Sequence, residues 1–217
     1  MEEKDVLEAI KQLKESSKRK FTQTFDLIIN TKGLDLKKTE NHIDLYVLLH
    51  NSIGKQIKIC ALVGPELMDE AKKVCDKAIM QDEFDAYAKD KKALKKLAEE
   101  YSYFIAQANI MTKVASAFGK VLGPKKKMPN PKAGCVVPPK ANLKPLYDKM
   151  QKTVRISLKE IPFVQTIVGN EKMPDKEVAD NVLTIYTQLL RHLPNERNNI
   201  KAVTLKLTMS KPFKVKF

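Results

Sequence analysis

The chain has 217 residues, and 43% of them are hydrophobic, which is enough to fill a core and excludes wholesale disorder. Its 40 lysines and arginines outnumber its 26 aspartates and glutamates and give a formal net charge of +14. Three scattered cysteines and the lack of an apolar run of about 18 residues argue against a disulfide scaffold, a zinc site and a membrane protein, so we expect a cytoplasmic protein.

The first 50 residues predict one helix and two strands. Residues 5–15 carry apolar side chains at helical spacing, as on an amphipathic helix. Apolar and polar side chains then alternate through 21–30 and again through 43–49. This alternation is typical of strands with one covered face.

The middle of the chain has a different pattern. Residues 57–63 are almost continuously apolar, as expected of a strand covered on both faces. Strand-like and helical stretches then alternate, which predicts a small parallel α/β sheet. The further predicted elements are helices at 66–77, 90–100, 111–122 and 142–151, apolar stretches at 78–80 and 103–106, and a proline-rich loop at 123–139.

After residue 153 the alternation of half-buried strands returns. Strands are predicted at 154–158, 163–168 and 200–209, separated by a turn at 169–174 and by the longest helix, at 175–193. Both ends of the chain therefore resemble each other and differ from the middle, although periodicity alone does not show that the ends pair.

The positive charge is concentrated in two stretches. Residues 120–159 contain 11 lysines and arginines but only one acid, Asp148, and residues 201–217 contain five lysines and no acid. Such concentration favours a nucleic acid as partner, because each neutralised phosphate releases counterions. The alternatives are simple solubility or a membrane surface, and prolines in the first stretch argue against the basic amphipathic helix that a membrane surface requires.

The first motif is Lys18 to Thr24, with the sequence Lys-Arg-Lys-Phe-Thr-Gln-Thr. Cations, an aromatic ring and short hydroxyl and amide side chains are groups that contact phosphates, sugars and base faces. On spacing alone, however, we favour a connector between helix and strand whose phenylalanine fills the core.

The second motif is the proline-rich loop at 123–139, which we call the basic loop. Five of the chain's 11 prolines lie in it and stiffen it, and its cations include Lys125, Lys126, Lys127 and Lys132. It lacks the Gly-x-x-x-x-Gly-Lys-Ser/Thr pattern of a phosphate-binding loop. We interpret it as an RNA contact, with an ordinary solvated linker as the alternative.

The third motif is Lys206 to Pro212 at the end of the last predicted strand. A threonine and a methionine beside lysines could pack on RNA sugars, although a methionine at that position of the alternation is by itself more typical of a core. Catalytic candidates are poor, since His42, His50 and His192 are scattered. The acids Asp82, Glu83 and Asp85 are better explained as a solvated loop than as a metal site, and we expect no cofactor.

Taken together, these segments resemble the ribosomal protein L-one family, which forms the mobile lateral stalk of the large ribosomal subunit. The similarity runs over nearly the whole chain. Gln23 together with Leu34-Asp35-Leu36-Lys37-Lys38 resembles archaeal members of the family more than bacterial ones. Its sharpest points are Phe21-Thr22-Gln23-Thr24, Leu122-Gly123-Pro124 with Met128-Pro129-Asn130-Pro131, Val168 to Met173, and Lys206-Leu207-Thr208-Met209.

The resemblance implies an α/β protein of two domains. A discontinuous α/β domain of the split β-α-β type would comprise residues 1–58 and 154–217, and a Rossmann-like domain with a parallel sheet, 59–153, would be inserted on a two-stranded hinge. The first domain would bind the stalk region of large-subunit rRNA, and the stalk would move with tRNA leaving the exit site. Members of the family also repress their own mRNA, so the implied partners are rRNA, exit-site tRNA and the leader or coding region of that mRNA. We expect a monomer when the protein is free, no membrane partner and no enzymatic activity.

Residues are carried over from the family motifs at three places. Shape-specific rRNA contacts are implied for Phe21, Thr22, Gln23, Thr24, Thr208 and Met209, and for the turn containing Gly169, Asn170, Lys172 and Met173. Cations expected to attract phosphates are Arg19, Lys20, Lys159, Lys172, Lys206 and Lys211, with Lys125, Lys126, Lys127 and Lys132 as a secondary contact.

The sequence departs from the family pattern at two points. Ser210 and Lys211 stand where the family usually has Gly-Pro, so the turn at the strand end could differ. Lys126 stands where the family usually has glycine or asparagine, which puts a glycine-dependent backbone conformation there in doubt.

Two rivals from other classes stay open at this point. One is a nucleotide- or phosphate-using α/β enzyme built on residues 57–150, for which only Gly64-Pro65 offers a strand-to-helix loop. The other is a translational repressor that acts outside the ribosome.

Overall fold

A computed structural model describes residues 1–159 and 161–216 of the chain. Positions 160 and 217, which belong to the predicted discontinuous domain, lie outside the described residues. The contacts within the chain divide it into two compact units, Met1–Lys55 with Lys152–Phe217, and Gln56–Gln151. Whether these units are the predicted domains, with boundaries at 58/59 and 153/154, stays a prediction.

The elements are numbered in chain order. The first segment contains α1 (Glu3–Ser16), β1 (Thr24–Thr31) and β2 (Ile43–Leu48). The middle segment contains β3 (Ile59–Val63), α2 (Met68–Val74), β4 (Lys77–Met80), α3 (Phe84–Lys89), α4 (Lys91–Glu100), β5 (Tyr103–Gln107), α5 (Met111–Leu122), β6 (Val136–Val137) and α6 (Leu143–Gln151). The last segment contains β7 (Thr153–Leu158), β8 (Phe163–Asn170), α7 (Asp175–His192), β9 (Ile200–Leu207) and β10 (Phe213–Val215).

The first unit contains an antiparallel sheet with the order β10-β9-β1-β8. Strands β8 and β9 both run antiparallel to β1, which lies between them, and α7 connects them, so this part is a split β-α-β arrangement. Helices α1 and α7 pack against each other and against the strands. The alternation read from β1 is confirmed, since every second residue from Phe25 to Thr31 is buried.

A separate two-stranded ribbon also belongs to this unit. Strands β2 and β7 pair antiparallel from Ile43 opposite Leu158 to Leu48 opposite Thr153. Asp44 on one strand accepts hydrogen bonds from Arg155 (Nε to Oδ1, 2.9 Å; Nη2 to Oδ2, 2.9 Å) and from Lys159 (Nζ to Oδ2, 2.7 Å). A half-buried carboxylate paired with two cations therefore links the two strands of the ribbon.

The second unit contains a parallel sheet with the order β4-β3-β5-β6, which confirms the predicted α/β class. All five residues of β3 are buried, as the continuous apolar run predicts. One core cluster includes Leu62, Ile79 and the rings of Phe84 and Phe118, which meet edge to face at 5.1 Å between centroids. Burial raises the pKa of the Cys60 thiol to about 12, so it stays protonated.

Several predicted boundaries differ from the structure. Three elements were not predicted, namely α3, β6 and β10. Helix α3 has six residues, which is fewer than two helical turns, and β6 and β10 have two and three residues, too few to show an alternation. The helix predicted at 66–77 ends at Val74, and β4 begins at Lys77. Strand β8 continues to Asn170, through the start of the predicted turn, and β9 ends at Leu207, before the predicted end at 209.

Within the described residues, no helix combines the length and the apolar character needed to cross a membrane.

Candidate nucleic-acid interface

Three of the segments singled out in the sequence meet at one end of the antiparallel sheet. Strand β1 begins where its neighbours β8 and β9 end, with Thr24 opposite Asn170 and Phe25 opposite Leu207. Residues 18–24, 170–173 and 208–211 therefore lie side by side. We call these three segments the strand-end surface.

The centre of the strand-end surface is a pair of threonines. The Thr24 amide donates to Oγ1 of Thr208 (3.1 Å), the two hydroxyl oxygens are 3.0 Å apart, and the Thr208 amide donates to the Thr24 carbonyl (3.1 Å). Thr208 is exposed. Because each hydroxyl can both donate and accept, the pair presents hydrogen-bonding groups at a fixed spacing to a ligand.

Two large apolar side chains of the same segments are exposed to solvent. Phe21 is 51% exposed and Met209 is 60% exposed. The interpretation of Phe21 as a core-filling residue is wrong, and so is the core position that the alternation suggests for Met209. Both residues lie outside the strands, so the period-two pattern does not apply to them.

The turn after β8 is held by an asparagine. Oδ1 of Asn170 accepts from the amides of Lys172 (3.0 Å) and Met173 (3.1 Å), while its Nδ2 donates to the Gly54 carbonyl (2.8 Å). Gly54 has a φ of +75°, and a Cβ there would lie 2.4 Å from Asn170. Gly54 thus allows the close approach that fixes the turn.

A lysine on α1 fixes the other side of the same turn. Nζ of Lys14 donates to the Met173 carbonyl (3.1 Å) and to Oδ1 of Asp175 (2.6 Å). Neither Lys14 nor Gly54 was singled out in the sequence, because their contacts join residues more than 100 positions apart and no local motif signals such a contact.

Most of the predicted cations are on the strand-end surface. Arg19, Lys20, Lys172 and Lys211 are exposed, as a phosphate contact requires. Lys206 is half-buried opposite Asp26 on β1. Burial raises the pKa of the Asp26 carboxyl, and Lys206 partly offsets that rise.

Lys159 is not with the other predicted cations. It donates to Asp44 in the β2–β7 ribbon, and it precedes β8, whose first residue lies opposite Asn30. Strand β8 rises about 3.3 Å per residue, so its start is roughly 20 Å from the turn at its end. Lys159 is therefore removed from the strand-end surface.

Two further predicted contacts are buried. Gln23 is 0% exposed, which corrects its assignment as a direct RNA contact. Gly169 is also buried, and a Cβ there would lie 3.0 Å from Val178 and 3.2 Å from Met173. These two residues support the surface from beneath.

The basic loop, in the second unit, is more ordered than the sequence predicts. The amide of Lys127 donates to the Leu122 carbonyl and that of Lys126 to the Gly123 carbonyl, both at 2.9 Å. This pattern is a Schellman motif, whose left-handed position usually holds glycine. Lys126 takes that conformation, with φ of 56°. The loop therefore adopts the backbone conformation that usually requires glycine, although a lysine stands at this position.

The four lysines of this loop have different surroundings. Nζ of Lys127 donates to the carbonyls of Ala98 (2.7 Å) and Tyr101 (2.8 Å) at the end of α4, and Lys125 pairs with Glu99 (3.0 Å). Lys126 and Lys132 are exposed. Lys127 is thus directed into the unit, while the others reach its surface.

The rival enzyme would use the carboxyl ends of β3 and β5, where the chain turns to opposite sides of the sheet. Gln107 is 2% exposed there; its Oε1 accepts from the Gly64 amide (2.9 Å) and its Nε2 donates to Glu66 (3.2 Å). The amide that would bind a phosphate is therefore occupied, and a carboxylate lies beside it.

A pocket elsewhere in the same unit does not suit a nucleotide either. It has a volume of about 560 Å³ and is lined by Asp82, Asp85 and Lys113 among others, and two carboxylates against one ammonium disfavour phosphate. Among the described residues, no group of three or more His, Cys, Asp or Glu side chains is arranged to hold a metal ion.

Comparison with known proteins gives one consistent result. The model of the ribosomal protein L1p/L10e family matches residues 13–211, an interval that includes every segment of the strand-end surface. The chain is 42% identical over 207 residues to large ribosomal subunit protein uL1 of Methanobrevibacter smithii, covering 94% of this chain and 95% of the relative. It is 40% identical to the uL1 protein of Methanothermococcus thermolithotrophicus, covering 99% of both chains, and 38% identical to that of Pyrococcus abyssi, covering 97% and 95%.

Proposed function

Because the chain belongs to the ribosomal protein L1p/L10e family, we propose that it is a protein of the large ribosomal subunit that binds the stalk region of large-subunit rRNA through the strand-end surface. Membership of this family confirms the resemblance inferred from the motifs, and it confirms that the chain is not an enzyme. The relatives named above are all large-subunit proteins, which supports a location in that subunit.

The observation that carries the proposal is the Thr24–Thr208 pair, together with two exposed apolar side chains in the same segments. Paired hydroxyls can bond 2′-hydroxyls and phosphate oxygens, while Phe21 and Met209 can pack against sugars or base faces. A fixed array of both kinds of group recognises the shape of a folded RNA more readily than a sequence. The proposed rRNA contacts are accordingly Phe21, Thr22, Thr24, Thr208 and Met209, with Asn170 and Met173 in the adjacent turn.

Charge supplies the second part of the proposal. Arg19, Lys20, Lys172 and Lys211 are exposed on the strand-end surface, and each phosphate they neutralise releases counterions. We assign to these cations the part of the RNA affinity that decreases as the salt concentration rises. Lys206 contributes less because Asp26 lies opposite it.

The basic loop is proposed as a secondary RNA contact. Lys125, Lys126 and Lys132, which are exposed, are its contributors, and Lys125 contributes in competition with Glu99. Lys127 is excluded from this role, because its ammonium group is bonded to two backbone carbonyls within the unit.

Two finer functions rest on the family resemblance. We infer that the stalk-bound protein assists release of deacylated tRNA at the exit site, and that the free protein represses translation by binding its own mRNA. A surface that reads shape supports the second inference, because an mRNA fold similar to the rRNA site would fit the same groups. Unlabelled mRNA leader should then displace the rRNA fragment competitively.

The proposal is tested by fluorescence anisotropy with a labelled stalk fragment of large-subunit rRNA. We expect saturable binding that a DNA of the same sequence and an unrelated RNA hairpin do not match. Equal affinity for all three would reduce the protein to a general polyanion binder. Co-sedimentation with large subunits in high salt separates a ribosomal protein from a repressor that acts outside the ribosome.

A further inference from the structure

We propose that Gln23, together with Glu171, is a positioning residue that holds the three segments of the strand-end surface in one register. The inference rests on the proposed RNA-binding function, but it concerns residues that support the surface and not the groups that touch RNA. Each step depends on contacts of these two residues.

The side chain of Gln23 joins two segments from opposite ends of the chain. Its Nε2 donates to the Ser17 carbonyl just after α1 (2.6 Å), and its Oε1 accepts from the Met209 amide just after β9 (3.2 Å). Since Gln23 is 0% exposed, it has no access to an RNA ligand. Its amide instead fixes the backbone beneath the exposed Met209 side chain.

The backbone of Gln23 joins the third segment. The Glu171 amide donates to the Gln23 carbonyl (2.9 Å), and the Gln23 amide donates to Oε2 of Glu171 (3.2 Å). This reciprocal pair lies one residue beyond the ladder, which ends with Thr24 opposite Asn170. It therefore ties the connector that carries Phe21 to the turn that carries Lys172.

Gln23 is thus bonded to the end of α1, the turn after β8 and the end of β9. An apolar side chain of the same length would leave the Ser17 carbonyl and the Met209 amide without these partners, and buried polar groups without partners favour rearrangement. The segment with Thr208 and Met209 would then no longer be fixed relative to Phe21.

Because Glu171 is negatively charged, the direction of the change in RNA affinity on its removal distinguishes a positioning role from a purely electrostatic one. It is an acid within a basic surface, so removing it should strengthen the attraction of phosphates if charge were its only role. A positioning role predicts the opposite, because the turn loses its bond to the Gln23 amide.

The chain offers a matched control for Gln23. Asn199 is also a buried amide, 2% exposed, and its side chain accepts from the Asn195 amide (2.7 Å) and donates to the Lys32 carbonyl (3.1 Å). It lies at the opposite end of the same sheet, next to Ile200, which pairs with Thr31. Asn199→Leu therefore removes a buried amide without touching the strand-end surface.

The experiment compares the full-length Gln23→Met, Glu171→Ala and Asn199→Leu variants with the wild type, at a temperature where all are folded. We expect Gln23→Met to weaken binding of the rRNA stalk fragment about tenfold, to leave the slope of log Kd against log salt unchanged, and to accelerate hydrogen exchange at the Met209 amide. Glu171→Ala should also weaken binding. Asn199→Leu should lower the melting temperature and leave the Kd unchanged.

Three results would overturn the proposal. These are a Kd for Gln23→Met equal to that of the wild type, an equal loss of affinity in Asn199→Leu, or tighter binding by Glu171→Ala. If Gln23→Met does not fold, the sign of the Glu171→Ala effect decides. Failure of the wild type to prefer the stalk fragment would refute the proposed function, whereas exchange at the Met209 amide would still report on positioning.

Discussion

The hydroxyl oxygens of Thr24 and Thr208 lie 3.0 Å apart, although 184 positions separate the two residues in the chain. The contact exists because β9 pairs with β1 after the whole middle segment has been inserted between them. Neither terminal segment can form this surface alone, so the proposed RNA site depends on the complete antiparallel sheet.

Replacing Thr208 with valine should weaken rRNA binding while the protein stays folded. Valine keeps the shape but removes a hydroxyl that bonds Thr24 and faces solvent, and a polar contact left unmade costs about 1–3 kcal/mol. This corresponds to a rise in Kd of roughly 5- to 150-fold. Anisotropy titrations with the stalk fragment, with circular dichroism to verify folding, measure the effect.

Thr187 on α7 provides the control for this substitution. It is exposed in the same unit, so Thr187→Val makes the same chemical change outside the strand-end surface and should not alter the Kd. Unchanged affinity in Thr208→Val would remove Thr208 from the site.

The salt dependence of binding should identify which cations touch phosphate. Each lost phosphate contact reduces the slope of log K against log salt by about 0.7 to 0.9. Lys20→Ala and Lys172→Ala should each flatten the slope by about that amount, because both side chains are exposed on the strand-end surface. Lys201→Ala should leave it unchanged, since Lys201 is near the opposite end of β9. A slope that changes equally in all three would indicate diffuse charge without defined contacts.

The sequence predicts the framework of the fold well because burial imposes a period. The alternation in β1 and the continuous apolar run in β3 both correspond to the observed burial. Strand β6 was not predicted because it has two residues, Val136 and Val137, within a loop rich in proline. Its pairing depends on the neighbouring strand β5, which is not local information.

The surface was harder to predict because side-chain exposure there depends on tertiary pairing. The apolar character and the sequence position of Phe21 and Met209 predict that they are buried. Both residues lie beyond the end of a strand and are exposed. Gln23 carries an amide side chain of the kind that often contacts RNA, yet it is buried. Lys159 carries the right charge but is bonded to Asp44, and no feature of the sequence near residue 159 indicates that partner.

Replacing Lys126 with glycine should stabilise the second unit. Lys126 has a φ of 56°, a conformation that costs a non-glycine residue about 1–2 kcal/mol, and the greater entropy of glycine in the unfolded chain cancels part of that gain. The expected net gain is about 0.5–1 kcal/mol in the free energy of unfolding, measured by urea denaturation. Lys120→Gly, within helix α5, should instead lower the free energy of unfolding by about 1 kcal/mol.

Lys127→Met should destabilise the same unit. Methionine retains most of the apolar stem but cannot donate to the carbonyls of Ala98 and Tyr101, and bonds from a charged donor contribute about 1.5–3 kcal/mol when partly buried. Lys132→Met, at an exposed position of the same loop, is the control. Equal melting temperatures for the two variants would show that the hydrogen bonds from Lys127 do not stabilise the unit.

Acid should weaken the β2–β7 ribbon through Asp44. The hydrogen bond from Arg155 is the main cause that lowers the pKa of the Asp44 carboxyl from 3.8 to about 2, aided by Lys159 and opposed by burial. The unfolded chain therefore takes up this proton first, so the stabilisation is present above pH 3.8 and is lost as the pH falls towards 2. Its size is about 2 kcal/mol. Urea denaturation from pH 6 downwards measures the effect. The free energy of unfolding of the wild type should exceed that of Asp44→Asn by a constant amount until about pH 4, and this difference should then shrink. A difference that stays constant down to pH 3 would show that the pKa of Asp44 is not lowered.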